Sequence, residues 1–138
     1  MKRVISIGGV FFKSKDPEKS KKWYSEHLGI TSGQYGGVFK WRKVDEEDSG
    51  FTAWGPFNHD TKYFDPSKSD HMFNYRVHDL ENLLKVLREE GVEVVGEMET
   101  YDYGKFGWIM DPDGHKIELW EPVDEVYSKM EGPVNSSN

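Results

Sequence analysis

The alternation of apolar and polar residues predicts a strand followed by a helix near the start of the chain. Residues 4–12 are rich in β-branched and aromatic side chains, which is typical of a strand. Asp16 followed by Pro17 is typical of the first residues of a helix. We expect this helix to end at Gly29, because glycine readily adopts the left-handed conformation that closes a helix.

The second half of the chain repeats this order. Residues 72–77 predict a strand, and Asp79 predicts the start of a second helix. Leucines at 80, 83, 84 and 87 form one face of that helix. Asp16 and Asp79 lie 63 residues apart, while Trp54 and Trp120 lie 66 apart, so small insertions align the two halves. The repeat predicts two βαβββ modules.

The repeat also predicts the domain organisation. We expect one globular α+β domain with a first module at residues 1–57 and a second at 71–123. Residues 58–70 are polar and contain a proline, so they predict a linker. The tail at residues 124–138 is expected to be partly disordered.

Composition narrows the possible partners. A chain of 138 residues is long enough for one compact domain, and its net charge of −7 argues against nucleic acid as a partner. The chain has no cysteine and no apolar run long enough for a signal peptide or a membrane span, so we expect a cytoplasmic protein. Aromatic residues make up 14% of the chain, which suggests an aromatic core or pocket.

One carboxylate has an unusual setting. Residues 108–122 predict strand, turn and strand, with Asp111-Pro112-Asp113-Gly114 as a type I turn. Beyond the turn, Glu118 alternates with Ile117 and Leu119, so its side chain should lie on the face opposite to theirs. Glu118 is then either an exposed strand carboxylate or a group that faces a binding cavity.

The same alternation predicts a set of neighbours for Glu118. All but one of these residues are aromatic or polar, and they form either core or the wall of a pocket; they are Phe11, Thr52, Trp54, Met72, Asn74, Arg76, Trp108 and Trp120. Residues 101–106, a glycine-containing aromatic segment, form a candidate lid. In such a pocket Glu118 is a candidate catalytic base or the partner of a cationic ligand.

The two modules, the Asp-capped helices and the closing motif DPDGHKIELWEP together resemble the vicinal oxygen chelate superfamily, which includes glyoxalases, extradiol dioxygenases and bleomycin-resistance proteins. The N-terminal segment GVFFKSKDPEKSKKWYSEHLGI supports this resemblance, which covers about residues 4–123. The resemblance implies a cup-shaped mixed sheet with helices outside, a ligand or metal inside, and a homodimer.

Metal-binding members of that superfamily carry ligands at four equivalent strand positions. The repeat places these positions at Gly9, Thr52, Met72 and Glu118, and Glu118 alone has a ligand side chain for a hard divalent ion. We therefore expect no metal cofactor. A divalent metal held by Glu118 and His71 is an alternative that requires a one-residue shift in register.

Three functional hypotheses follow. The first is a metal-independent protein of the bleomycin-resistance type that binds a small aromatic or cationic molecule in an aromatic-lined cup. The second is a metal-dependent lyase or isomerase similar to lactoylglutathione lyase, or a dioxygenase, that uses Glu118 with other ligands. The third is a scaffold whose cup is filled by aromatic side chains.

Overall fold

The described residues of the computed structural model, 2–42, 49–127 and 134–135, contain both predicted helices and most of the predicted strands. In chain order the elements are β1 (Val4–Ser14), α1 (Pro17–Leu28), β2 (Gly37–Arg42), β3 (Ser49–Asn58), β4 (His71–Val77), α2 (Leu80–Glu89), β5 (Val94–Tyr101), β6 (Gly104–Met110), β7 (Lys116–Pro122), α3 (Asp124–Tyr127) and β8 (Val134–Asn135).

The strands of the described residues form one mixed sheet in the order β5-β6-β7-β4-β1-β3-β2-β8. Within the modules, β1 pairs with β3 and β4 pairs with β7 in parallel. The two modules join through the antiparallel pair of β1 and β4. The predicted α+β fold with a mixed sheet is therefore confirmed.

The two modules differ at the sheet edge. The second module has the predicted βαβββ order, whereas within the described residues the first has two strands after its helix. Where a further strand was expected, Gly33 and Gly36 form an isolated bridge that closes a short turn. The edge beside β2 is instead occupied by β8, which pairs with β2 in parallel.

Part of the predicted tail has regular structure, namely α3 and β8. Residues 128–133 and 136–138, where we expected disorder, lie outside the described residues. The side chain of Asn135 accepts hydrogen bonds from the backbone and hydroxyl of Thr31 and donates to the carbonyls of Thr31 and Val38. These bonds hold β8 of the tail against the first module.

The two helices start in different ways. The Asp16 side chain accepts a 3.1 Å hydrogen bond from the Lys19 N–H, as an N-cap should. Asp79 has a positive φ of 35° and makes no side-chain cap bond. Glu121 of β7 replaces it, since its carboxylate accepts from the Leu80 N–H at 2.8 Å. The start of α2 is thereby tied to the strand that carries Glu118.

The main core lies between α2 and the second module's strands. Leu80, Leu83 and Leu84 are buried against Val77 and Leu119, with Tyr75, Ile109 and Ile117 at the edge of this cluster. Alternation along β4 and β7 then directs the other side chains to the opposite surface. We call this surface the Glu118 face; it carries Met72, Asn74, Arg76, Lys116, Glu118 and Trp120.

Within the described ranges, no helix is long and apolar enough to cross a membrane.

Candidate functional site

Strand register corrects the alignment of the two modules. Asn74 pairs with Glu118, and Phe11 pairs with Gly55. Phe11 and Asn74 are 63 residues apart, as are Gly55 and Glu118, so the offset of the helix starts holds through the last strand. The equivalent of Glu118 is therefore Gly55. The predicted offset of 66, which selected Thr52, was wrong because the two Trp-x-Pro segments do not occupy equivalent places in their strands.

Glu118 is buried, with only 4% of its surface exposed, and both of its oxygens are hydrogen-bonded. The Asn74 amide donates to Oε1 at 2.6 Å. The Trp108 indole N–H donates to Oε2 at 3.0 Å, and the Tyr63 hydroxyl donates to the same oxygen. Each of these bonds is charge-assisted, which offsets the cost of removing a carboxylate from water.

Tyr63 is the member of this cluster that sequence reasoning missed, because it belongs to the predicted linker. The linker folds onto the protein: Phe64 is fully buried and Ser67 is 3% exposed. The Tyr63 ring stacks on Phe57 at a centroid distance of 5.6 Å and meets Trp108 edge-on at 6.2 Å. Adjacent aromatic residues in a polar segment were the available signal for this contact.

Burial and charge fix the protonation of Tyr63. Burial raises the pKa of the Tyr63 phenol well above its ordinary value of 10.0, and the negative charge of Glu118 raises it further. The phenol therefore remains a hydrogen-bond donor to Glu118 across the physiological range.

Lys116 supports the same segment from β7. Its side chain donates a 2.7 Å hydrogen bond to the Tyr63 carbonyl, and its ammonium lies 5.2 Å from the Tyr63 ring centre and 5.5 Å from that of Trp108. Burial lowers the pKa of Lys116, while the charge of Glu118 acts in the opposite direction. The aromatic surface beside Glu118 thus already holds one cation.

Aromatic rings continue from Trp108 along the second module. Phe106 stacks on Trp120 at a centroid distance of 5.9 Å with planes 6° apart. Tyr101 and Tyr103, from the predicted lid segment, stack on each other at 5.3 Å and meet the Phe106 ring edge-on. We call this set the aromatic wall; its members are Tyr101, Tyr103, Phe106, Trp108 and Trp120.

A second carboxylate lies at the outer end of the aromatic wall. Glu99 is exposed and pairs with Phe106 across β5 and β6, and it accepts a hydrogen bond from the Tyr101 hydroxyl. The wall therefore carries a buried carboxylate at one end and an exposed one at the other.

Two predicted pocket residues of the first module lie elsewhere. Trp54 packs against Phe12 and against Tyr24 of α1, with ring centroids 5.6 and 5.0 Å away. The Thr52 hydroxyl donates to the Ile7 carbonyl at 2.9 Å and accepts from the Trp41 indole. Parity placed both residues beside Glu118, and it failed because their strand was aligned with the wrong offset.

The remaining predicted residues lie on the Glu118 face, in two groups. Met72 is 1% exposed and pairs with Phe11, whose ring meets Phe57 edge-on at 5.4 Å. Arg76 is also 1% exposed and forms a separate cluster. Its guanidinium binds Asp124 of α3 at 2.5 Å and the Phe51 carbonyl at 3.3 Å.

Arg76 also contacts the aromatic residues around it. Its guanidinium carbon lies 5.1 Å from the Trp41 ring centre and 5.4 Å from that of Trp120. Trp120 therefore lies between the Arg76 cluster and Phe106 of the aromatic wall.

His71 is not brought together with Glu118. Its ring contacts Ser69, Phe73 and His115. Since Met72 faces the Glu118 side of β4, alternation turns His71 to the other side. The alternative metal site of Glu118 and His71 requires a one-residue shift in strand register. The register between β4 and β7 is regular, so this shift does not occur there.

The residues at the superfamily's metal positions do not fit a divalent ion. With the corrected offset these positions are Gly9, Gly55, Met72 and Glu118, of which Glu118 alone offers an oxygen ligand. A Cβ added at Gly9 would lie 2.8 Å from the Phe11 ring, so a larger residue there would require that ring to move. Across the described part of the chain, no three His, Asp or Glu side chains are grouped to hold a metal ion.

The fold agrees with a comparison across protein families. Residues 7–119 match the Glyoxalase/Bleomycin resistance protein/Dioxygenase superfamily, and the chain belongs to that superfamily. A search of curated proteins gave no match.

Solved structures share the fold at low identity. Methylmalonyl-CoA epimerase from Mycobacterium tuberculosis is 20% identical with a TM-score of 0.57, over 91% of this chain and 93% of that chain. A superfamily member from Vibrio splendidus 12B01 is 18% identical with a TM-score of 0.52, over 83% and 97%. Methylmalonyl-CoA epimerase in complex with methylmalonyl-CoA and NH4+ is 14% identical with a TM-score of 0.62, over 87% and 96%.

Proposed function

We propose that this protein binds a small cationic aromatic molecule on the Glu118 face, between the aromatic wall and the segment that carries Tyr63. The observation that carries the proposal is the buried Glu118 carboxylate, which ends a wall of stacked aromatic rings. A carboxylate beside aromatic faces attracts a cation both by charge and through the ring quadrupoles.

Tyr63 is the donor that a ligand would replace. Asn74 and Trp108 are 2% and 7% exposed and lie on strands of the sheet, whereas Tyr63 is 39% exposed and lies on a connecting segment. Exchanging the phenol for a ligand ammonium keeps Glu118 hydrogen-bonded and adds an opposite charge. In this proposal the Tyr63 hydroxyl occupies the ligand's position beside Glu118 and moves away when the ligand binds.

The charges around the site favour a cation over an anion. Glu118 and Glu99 flank the wall, and the chain as a whole carries a net charge of −7. The nearby cations have protein partners, because Lys116 donates to the Tyr63 carbonyl and Arg76 binds Asp124. Binding in this proposal is metal-independent, which is consistent with the poor ligand set at the superfamily's metal positions.

Tryptophan fluorescence with a charge-matched probe pair tests the proposal. Phenethylamine carries an ammonium and phenylacetate a carboxylate on the same ring, so the pair isolates the effect of charge. We expect saturable quenching by phenethylamine at neutral pH and none by phenylacetate. Equal binding of both probes, or no saturable change with either, would contradict the proposal.

Three substitutions locate the binding. Glu118→Gln keeps the side-chain shape and removes the charge, so phenethylamine should bind at least about tenfold more weakly, in line with losing a charged hydrogen bond. Glu97→Gln, at an exposed position of β5, is the matched control and should leave binding unchanged. Tyr63→Phe removes the internal competitor and should strengthen binding severalfold.

The metal-dependent lyase, isomerase or dioxygenase remains the alternative. It would use Glu118 as a base or ligand with groups from outside this set. Tight stoichiometric metal that survives dialysis and is lost in Glu118→Gln would favour that alternative over the binding protein.

A further inference from the structure

Two histidines lie side by side on the surface opposite to the Glu118 face. Phe73 pairs with Ile117 in the parallel ladder of β4 and β7, and His71 and His115 lie two residues before them. Their ring centroids are 5.3 Å apart with planes 36° apart. The His115 side chain is 40% exposed and His71 is half-buried, so an ion in solution can reach this pair.

The ring separation suits a shared metal ion. A Zn–N bond is about 2.0–2.1 Å long, so two imidazoles that bind one tetrahedral ion have ring centres roughly 5 Å apart. The observed 5.3 Å falls at that value.

In each histidine the Nδ1 nitrogen has a hydrogen-bonding partner. The Nδ1 of His115 lies 2.9 Å from Asp111 Oδ2, and the Nδ1 of His71 lies 3.1 Å from Ser69 Oγ. A metal-binding histidine commonly uses one nitrogen for the metal and holds its ring in place with the other. In both residues this arrangement leaves Nε2 for the metal.

Asp111 is itself fixed by the turn before β7. Its Oδ1 accepts hydrogen bonds from the backbone N–H groups of Asp113 and His115 at 2.9 and 2.8 Å. The other oxygen of the same carboxylate, Oδ2, contacts the Nδ1 of His115. The orientation of the His115 ring is thus set before any ion binds.

We propose that His71 and His115 form a surface site for a late first-row divalent ion such as Zn²⁺, Ni²⁺ or Cu²⁺. Neutral imidazoles suit these ions, whereas Mg²⁺ and Ca²⁺ prefer oxygen ligands. The two histidines supply two ligands, and water completes the coordination. A bound ion joins the turn before β7 to the start of β4.

This site is distinct from the Glu118 site. His71 and His115 lie on the strand face opposite to Met72, Lys116 and Glu118. The two proposals are therefore independent, and either can fail without the other.

Calorimetric titration of tag-free protein with Zn²⁺ tests the site. We expect one equivalent to bind and the melting temperature to rise with added Zn²⁺, because an ion that binds only the folded chain stabilises it. His71→Ala and His115→Ala should each abolish or greatly weaken this binding. Asp111→Asn should weaken it by about 10- to 100-fold, which is the usual effect of losing the partner of a metal-binding histidine.

Two controls make the result decisive. A variant with both His59→Ala and His78→Ala, at exposed positions outside the pair, should bind Zn²⁺ as the unmodified chain does. Glu118→Gln should also bind normally. Absence of Zn²⁺ binding, binding that survives His71→Ala, or binding that depends on Glu118 would each overturn the proposal. Circular dichroism of each variant confirms that it is folded.

Discussion

At the scale of single residues, the carboxylate of Glu118 stays buried because hydrogen-bond donors replace the water that it loses on folding. A buried ionised group that loses a partner incurs a desolvation cost larger than the net gain of an ordinary hydrogen bond. Asn74 donates a 2.6 Å hydrogen bond to Glu118 and is 2% exposed. The stability of the chain should therefore depend strongly on this amide.

Asn74→Ala should lower the free energy of unfolding by about 1–3 kcal/mol, since it leaves one oxygen of a buried carboxylate without its donor. Urea denaturation at neutral pH measures the change. Asn82→Ala, on the exposed surface of α2, is the control and should have little effect. A loss below about 0.5 kcal/mol for Asn74→Ala would show that Glu118 does not need this bond.

The raised pKa of Tyr63 predicts a stability that depends on alkaline pH. The folded chain holds the phenol proton more tightly than the unfolded chain, whose tyrosine titrates near 10.0. The contribution of Tyr63 is therefore fully present below about pH 10 and is lost as the pH rises above it.

The free energy of unfolding of the unmodified chain should exceed that of Tyr63→Phe by less at about pH 11 than at about pH 9. Urea denaturation at both pH values measures the two differences. Tyr35→Phe, at a residue that is 93% exposed, is the matched control for the removal of a tyrosine hydroxyl. The same gap for Tyr63→Phe at both pH values would contradict a raised phenol pKa.

Sequence reasoning found part of this cluster for a physical reason. A period of two along β7 fixes which face carries Glu118, and the same local rule selects Trp108 and Asn74 on neighbouring strands. Tyr63 was not predicted, because its contact with Glu118 spans 55 residues and depends on how the linker folds. The alternation of residues along one strand carries no information about such a contact. Trp54 was misplaced because its strand was aligned with an offset of 66, whereas the pairing of Phe11 with Gly55 and of Asn74 with Glu118 gives 63.

At the scale of elements, the segment between the modules is part of the folded unit. Phe64, the residue after Tyr63, is fully buried against Phe57, with ring centroids 5.2 Å apart. Its burial keeps this part of the segment against the protein. Lys62 and Lys68, which flank this part of the segment, are exposed. Trypsin cleaves after lysine, so it has two recognition sites in this segment. Cleavage there requires the segment to leave the surface of the protein.

Phe64→Ala should release the segment and speed tryptic cleavage after Lys62 and Lys68, because it removes a buried ring worth about 3–5 kcal/mol. Mass spectrometry of timed digests measures each site. Cleavage after Lys85 in α2 is the internal control for global unfolding. Equal acceleration at all three sites would contradict local release and would indicate unfolding of the whole chain.

The helices were more predictable than the edges of the sheet. The start of α1 and the leucine face of α2 follow from the spacing of residues that are close together in the sequence. The pairing of β8 with β2 joins distant parts of the chain, and the short turn at Gly33 to Gly36 replaces a strand. Glu121 capping α2 across 41 residues is another contact that local pattern does not predict.

At the scale of the whole molecule, the modules form one sheet through β1 and β4, and the approximate repeat relates their strands. The repeat was visible in the sequence. The equivalence of residues in the last strand of each module became clear only from the pairing of Phe11 with Gly55. The expected homodimer stays a prediction. Sedimentation of the full chain at several concentrations measures it, and a monomer at every concentration would contradict it.

In the proposed function a ligand reaches Glu118 by displacing Tyr63, and the indole N–H of Trp108 reports on that event directly. This N–H donates to the same oxygen of Glu118 as the Tyr63 hydroxyl. In a ¹H–¹⁵N spectrum each tryptophan gives one indole signal, and Trp108→Phe assigns the relevant one. Trp23, which is 51% exposed on α1, provides the internal reference.

Titration with phenethylamine should shift the Trp108 indole signal in a saturable way and leave that of Trp23 unchanged. The shift should disappear in Glu118→Gln and reach saturation at lower concentration in Tyr63→Phe. A Trp108 signal that stays fixed while phenethylamine binds elsewhere, or that moves equally with phenylacetate, would contradict the displacement of Tyr63 by a cationic ligand.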